Sequence, residues 1–235
     1  MKLAFLQTTP FIAGALALAL VLMAPDALPQ GTEPVDADAL VLQLRGLPAE
    51  LYLGPVSHLC NPAPAPCSSP PLPPGEIKRL RIYSRLSALD GAGVLALARG
   101  LQNTELSVRS NSALALYYLS DDSQSSDRAI PRVDIRAALP ALTVALESDS
   151  RTGELAAQAI GNIGAPGVAA VPALVKLLGS EEEGLRNAAC VGLGGIGPSA
   201  RSALPQLKVA LADRSSDVRG FARLAIAKIG GNAPP

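Results

Sequence analysis

Tryptophan is absent from this 235-residue chain, and four Tyr and three Phe make up an aromatic content of 3%. A core built around large rings is therefore excluded. There is one histidine, His58, so a Ser-His-Asp triad or a histidine acid/base pair has no other residue to use. No Walker-type glycine loop is present to cradle a phosphate. Charge of one sign is also missing: Lys plus Arg and Asp plus Glu are each 20, and the formal net charge is zero. No Lys/Arg cluster offers the excess of cations that displaces counterions from phosphates, which argues against nucleic acid as a partner. No catalytic constellation or cofactor motif emerges, and the chain reads as a non-enzyme without a cofactor.

What is abundant is aliphatic. Hydrophobic residues are 49% of the chain, and most are Ala, Leu, Val and Ile. Such residues suit small, closely packed helices. The 21 Gly and 21 Pro would oppose helix if scattered, but their positions are ordered.

The chain divides into three stretches, 1–30, 31–75 and 76–235. In the first, Lys2 precedes an apolar run from Phe11 to Ala24. A lone cation before such a run is the pattern of an export signal. The run is shorter than the roughly 20 residues of a spanning helix. Extended back to Leu3 it becomes long enough, as an uncleaved membrane anchor, if Gln7 to Pro10 lie inside it. A buried N-terminal helix is the third reading. Under the first two, the remainder is exported, periplasmic or secreted, and touches a membrane only through this segment.

The second stretch is a proline-rich linker. Asn61 to Gly75 is expected to be extended and polyproline-like. Within 31–75, Asp36 to Arg45 can form a short helix, capped by Asp36, with Leu40, Val41 and Leu44 on one face. Cys60 and Cys67 bracket a proline-rich loop and form a candidate disulfide in an exported chain. With His58 they give three metal ligands and no fourth, so no metal is expected. Cys190 lies mid-helix and reads as a small buried residue.

The third stretch repeats. Pro140-Ala-Leu, Pro172-Ala-Leu and Pro205-Gln-Leu recur 32 and 33 residues apart. Each begins a first helix, which either bends at its Pro or starts its regular part there. A polar turn and a second helix follow, ending in Ile163-Gly164, Ile196-Gly197 and Ile229-Gly230. Each Gly fits a left-handed C-cap. A divergent unit begins near Gly93 and ends at Leu119, and a leading helix at about 76–89 caps the array. Aligned on their last apolar residues, the second helices carry a small residue at Ser112, Ala156, Ala189 and Ala222. A large one follows at Leu116, Ile160, Leu193 and Ile226. Both rows share one helix face, the small one for close approach and the large one for the core. The polar insertion from Ser120 to Val133 reads as a solvated loop. Its Asp121, Asp122 and Asp127 match no calcium-loop spacing.

Ala-Val-Pro-Ala-Leu-Val at 170–175, Leu185-Arg186-Asn-Ala-Ala189, Ile196-Gly197, Asp217-Val-Arg219 and Ile229-Gly230 together resemble HEAT repeats. The likeness is to the short type associated with phycobilisome lyases, and it spans residues 90–230. It implies an all-α fold, an α-solenoid of HEAT-like helical pairs, behind the export or anchor helix and the linker. It also implies that Arg109, Arg186 and Arg219, at one equivalent position, pair with acids of the preceding turns. Asp149, Glu181 and Asp213 are the candidates, and Gly153 takes the Arg position in the remaining unit. Orienting neighbouring repeats is the expected role of these residues. A chromophore lyase activity, which the resemblance alone would bring, fits poorly with export.

The expected partner is another protein or peptide. Residues opposite the core stripe are expected to line one face of the stack. On or beside it fall Leu114, Gln158, Val191 and Leu224, with Asn187, Tyr117, Tyr118 and Asn162. An alternative is that Leu114, Val191 and Leu224 pack against neighbouring helices. The C-terminal end, with Phe221, is a second candidate surface. The function these features point to is a noncatalytic interaction scaffold of the cell envelope or exported space. A structural envelope component tethered to the membrane is the alternative.

Overall fold

The computed structural model describes residues 35–48, 73–120 and 132–230. All regular structure among them is helical. The N-terminal segment, Cys60, Cys67, His58 and the acidic insertion lie outside the described residues, except for the insertion's ends.

Short α1 (Ala37–Leu42) starts as the composition predicts: Asp36 Oδ1 accepts from the backbone N–H of Asp38 at 2.9 Å and of Ala39 at 3.2 Å. Its apolar face, Leu40, Val41 and Leu44, is buried. α2 (Pro74–Ser87) has Pro in its first turn, where the missing N–H costs nothing. α3 (Asp90–Gly100) and α4 (Leu106–Ser120) form the divergent first pair. Three regular pairs follow: α5 (Leu139–Ala145) with α6 (Ser150–Ile163), α7 (Val171–Leu177) with α8 (Glu183–Ile196), and α9 (Leu204–Ala210) with α10 (Ser216–Gly230).

Pro140, Pro172 and Pro205 each stand in the first turn of a first helix. A tighter 3₁₀ segment precedes each one, at Arg136–Ala138, Ala165–Ala170 and Gly197–Ala203. Proline therefore starts the regular part of the helix. The glycines behave differently from expectation. Gly164 (φ 75°, ψ −143°) and Gly197 (φ 70°, ψ −143°) have positive φ but not the left-handed helical ψ. They occupy a region that essentially only glycine reaches, and they turn the chain sharply into the next 3₁₀ segment. Gly230 has no positive φ and ends inside α10.

The second helices α4, α6, α8 and α10 stack side by side as the inner layer. Ser112, Ala156, Ala189 and Ala222 are all fully buried, as are Leu116, Ile160 and Leu193. The inner helices α6 and α8 meet through glycine. A Cβ added to Gly192 would lie 2.7 Å from the Ala157 carbonyl oxygen, and one on Gly161 would lie 3.0 Å from Gly192 Cα. Backbone touches backbone along this seam, so a side chain there would force the helices apart.

The N-terminal end of the stack is covered. α1 and residues 43–48 lie against α3 and α4. Asn111 Nδ2 donates to the carbonyls of Leu47 (2.8 Å) and Ser107 (2.9 Å). Tyr83, fully buried, donates its hydroxyl to the Asn111 carbonyl at 3.0 Å. Arg79 is 1% exposed, pairs with Glu76 at 2.9 Å and donates to the Pro48 carbonyl. Burial raises the Glu76 carboxyl above its usual pKa, against the pull of Arg79.

Candidate interaction surface

The equivalent arginines show how units are joined. Arg186 is held from both sides. Its Nη1 donates to the carbonyls of Ser180 (3.0 Å) and Glu181 (2.9 Å) in its own turn. Its Nε and Nη2 take both carboxylate oxygens of Asp213, at 2.8 and 3.0 Å, in the next unit. The hydrogen bonds from Arg186 hold the Asp213 carboxyl below its usual pKa. Arg109 repeats the arrangement: Nη1 to the carbonyls of Asn103 and Thr104, and Nη2 to Asp149 of the next unit at 3.4 Å. The expected pairing with an acid of the preceding turn is thus corrected. The preceding turn supplies carbonyls, and the carboxylate comes from the following unit. The reason is reach. Nη1 fills the curl of the turn, which leaves the outer edge of the guanidinium facing the neighbour. Glu181 lends Arg186 only its carbonyl. Its carboxylate, 95% exposed, pairs with Arg214 at 3.2 Å. Asp149 also caps α6, accepting from the Thr152 N–H at 3.0 Å. Gly153 interrupts the series because a side chain there would meet Leu185 Cδ2 at 3.0 Å and the Leu146 carbonyl at 3.1 Å.

The residues expected on the partner face separate into two groups. Leu114 is fully buried and does not belong to it. The cover formed by α1, α2 and residues 43–48 closes the first unit, and that cover could not be read from the repeat register. Tyr117 and Tyr118 are half-buried and stack edge to face at 5.9 Å, with Tyr83 a further 6.0 Å from Tyr118. They seal the same end. Gln158, Asn162 and Asn187 are half-buried on α6 and α8. Val191 and Leu224 stand open at 39% and 50% exposure. Phe221 adds a third apolar side chain at 38% exposure. The Asn187 Oδ1 is buried without a hydrogen-bond partner. Glu154, at the same register, has its carboxyl raised by burial, and its carboxylate fills the space a side chain on Gly184 would need.

A cavity of about 410 Å³ opens at the edge of this face. Ser120, Asn162 and Ile163 line it with Val133, Ile135 and Arg136. Asn162 Nδ2 donates to Ser120 Oγ at 3.1 Å across its floor. Arg136 grips Asp134 beside it and holds that carboxyl down to about 2. The alternating Arg132-Val-Asp-Ile-Arg136 was the only sequence signal for this cavity, and it carries no recognisable motif. Cys190 is fully buried, and burial pushes its thiol up to about 11.

No family model matches the chain, and neither does any curated protein. Solved structures do. One describes the complex of CpcE and CpcF of phycocyanin lyase from Nostoc sp. PCC7120, with 22% identity and a TM-score of 0.52 over 88% of this chain and 70% of that one. An engineered protein matches at 21% identity and a TM-score of 0.53, over 97% and 94% of the two chains. A designed armadillo repeat protein in complex with the peptide (KR)4 matches at 18% identity and 0.50, over 83% and 82%.

The fold is a HEAT-like α-solenoid. In this solenoid the inner helices α6, α8 and α10 supply the open row, and the 3₁₀-plus-helix segments form the outer layer. Among the described residues, no group of metal-ligating side chains is gathered, and no helix is long and apolar enough to cross a membrane.

Proposed function

We propose that this solenoid is a noncatalytic scaffold that binds a protein or peptide along the face of α6, α8 and α10. The single observation that carries the reading is the row of Val191, Phe221 and Leu224, exposed side by side on inner helices and flanked by Gln158 and Asn187. Exposed apolar side chains rimmed by amides suit an extended segment that offers both side chains and backbone groups. The absence of net charge favours a neutral partner surface over a polyanion. The signal-like pattern of residues 1–30 supports a place outside the cytoplasm, free or anchored by that segment.

The test is site-specific photo-cross-linking in cells that make the protein. A photoreactive residue at Val191 or Leu224 is expected to give a discrete adduct. The same residue at Val209, 76% exposed in the outer layer, is expected to give none. Equal adducts at both layers, or none at Val191 and Leu224, would sink the proposal. Fractionation of the same cells locates the chain.

Chromophore lyase-like activity is a second reading, which rests on the resemblance to phycobilisome-lyase-type repeats and on the likeness of fold to the CpcE–CpcF complex. At 22% identity that likeness supports the fold and no chemistry. Incubation with a bilin and an acceptor phycobiliprotein decides it by the presence or absence of a covalent adduct.

A further inference from the structure

The inner face carries a carboxylate that no described donor satisfies. Glu154 sits on α6 at the register that Asn187 holds on α8, in the middle of the array and away from both ends. Its side chain is 25% exposed. Its Oε1 occupies the space that a side chain on Gly184 would fill. Arg151, one turn earlier on the same helix, comes to 3.7 Å from Oε2, beyond hydrogen-bond length. No hydrogen-bond donor among the described residues reaches either oxygen. Burial raises this carboxyl above its ordinary pKa, against the pull of Arg151 and with the help of the Glu182 charge. Asn187 Oδ1 is a second acceptor without a donor, but it is buried, so Glu154 is the one a partner meets directly.

A partly buried anion without a donor is an unfinished contact. It has lost part of its hydration and gained no hydrogen bond in return, and a cation brought to it supplies the missing donor. One turn further along the same face stand Gln158 on α6 and the 39% exposed Val191 on α8. The step from Glu154 to Val191 is one helical turn along and one helix across, about 10 Å, or roughly three residues of extended chain. The segments outside the described residues, 1–34, 49–72, 121–131 and 231–235, contain two cations of their own, Lys2 and Arg128.

We propose that Glu154 selects, among partners of the open row, a protein segment that carries a Lys or Arg about three positions from an aliphatic side chain. The cation pairs with Glu154, and the aliphatic side chain packs on Val191. A wholly apolar segment leaves the carboxylate without its donor, and an acidic one adds repulsion. The inference rests on the reading of the row as a binding face and adds the sign of the charge which that face accepts.

The test pans a phage-displayed library of random peptides against the immobilised full-length chain. The expected binders carry Lys or Arg about three positions from Leu, Ile or Val. Their affinity is expected to fall about tenfold with Glu154→Gln, the loss of one charge-assisted contact. It is expected to fall with Val191→Ser as well. Panning against Glu154→Lys is expected to return Asp or Glu at the same position. Glu154→Gln keeps the shape over Gly184, so it decides the matter even if Glu154→Lys folds poorly. Binders that need Val191 but carry no basic residue, or that ignore Glu154→Gln, overturn this inference and leave the binding row standing. No binders, or binders indifferent to Val191→Ser and Leu224→Ser, overturn the row and the inference with it. Binders that tighten with Lys2→Ala or Arg128→Ala show that the chain fills the site itself, which also overturns the proposal.

Discussion

Removing the Arg186 guanidinium tests whether the clamps bind the units energetically or merely decorate their turns. Arg186→Ala deletes four hydrogen bonds, two to carbonyls and two to Asp213. The Arg186 side chain is 5% exposed and that of Asp213 13%, so water cannot fully replace what is lost. Each charge-assisted bond contributes about 1.5–3 kcal/mol when buried, but the carbonyls regain water and the pair costs desolvation to assemble. The net loss is expected to be about 3 kcal/mol. Asp213→Ala is expected to cost about 2 kcal/mol, because Arg186 keeps its two carbonyls. The double variant is expected to fall short of the sum by at least about 1 kcal/mol, the signature of a direct coupling. Urea denaturation of the four chains measures this, and hydrogen exchange locates it, with α10 losing protection before α4. Additive losses, or protection lost evenly along the stack, would refute the reasoning.

Three further outcomes follow from the same geometry. Gly192→Ala sets a methyl against the Ala157 carbonyl and is expected to cost about 1–3 kcal/mol, read as a fall in Tm, whereas Gly220→Ala, with open space around it, leaves Tm unchanged or raised. The lowered Asp213 pKa means that its clamp contributes in full above the ordinary carboxylate range, and the contribution is lost as pH falls through the depressed folded value. Asp213→Asn is expected to flatten stability against pH in that acidic window and nowhere else, as acid-induced unfolding monitored by circular dichroism would show. Cys190, buried and with its thiol raised to about 11, is expected to resist a thiol reagent at pH 8 in the folded chain and to react at once in denaturant.

The repeat register was legible because it depends on residue size at fixed spacing. Ala156 and Ala189 had to be small, and Ile160 and Leu193 had to be large, whichever way the units stacked. The Asp36 cap was legible for the same local reason: a short carboxylate before an apolar face has few other uses. What could not be read was anything that crosses between distant segments. Leu114 shares a register with Val191 and Leu224, yet it is buried, because residues 43–48 return across α4 from more than 60 positions away. The direction of the arginine clamps was hidden too. Spacing places Arg186 near acids on both sides, and only the curl of the Ser180–Glu181 turn decides which edge of the guanidinium is free. Gly164 and Gly197 were recognisable as special backbone positions, but their ψ is set by the following 3₁₀ segment and not by the helix they end.

Gly153 has a mechanical consequence. The first and second units are clamped by Arg109 and Asp149, and the third and fourth by Arg186 and Asp213. Between the second and third, Gly153 stands where the series would place its arginine, so the clamp of the other two joints is not repeated there. The Lys176–Glu147 pair there is more than half exposed on both sides and contributes little. That joint is the glycine seam of α6 and α8, with Leu185 set against Gly153 and the Glu154 carboxylate against Gly184. The middle joint therefore depends on close main-chain packing, where its neighbours add a charged clamp. Gln158 lies on one side of it and Val191 on the other. A partner laid along the open row would cross this seam, so the register of its contacts would depend on how closely the two glycine-lined helices approach.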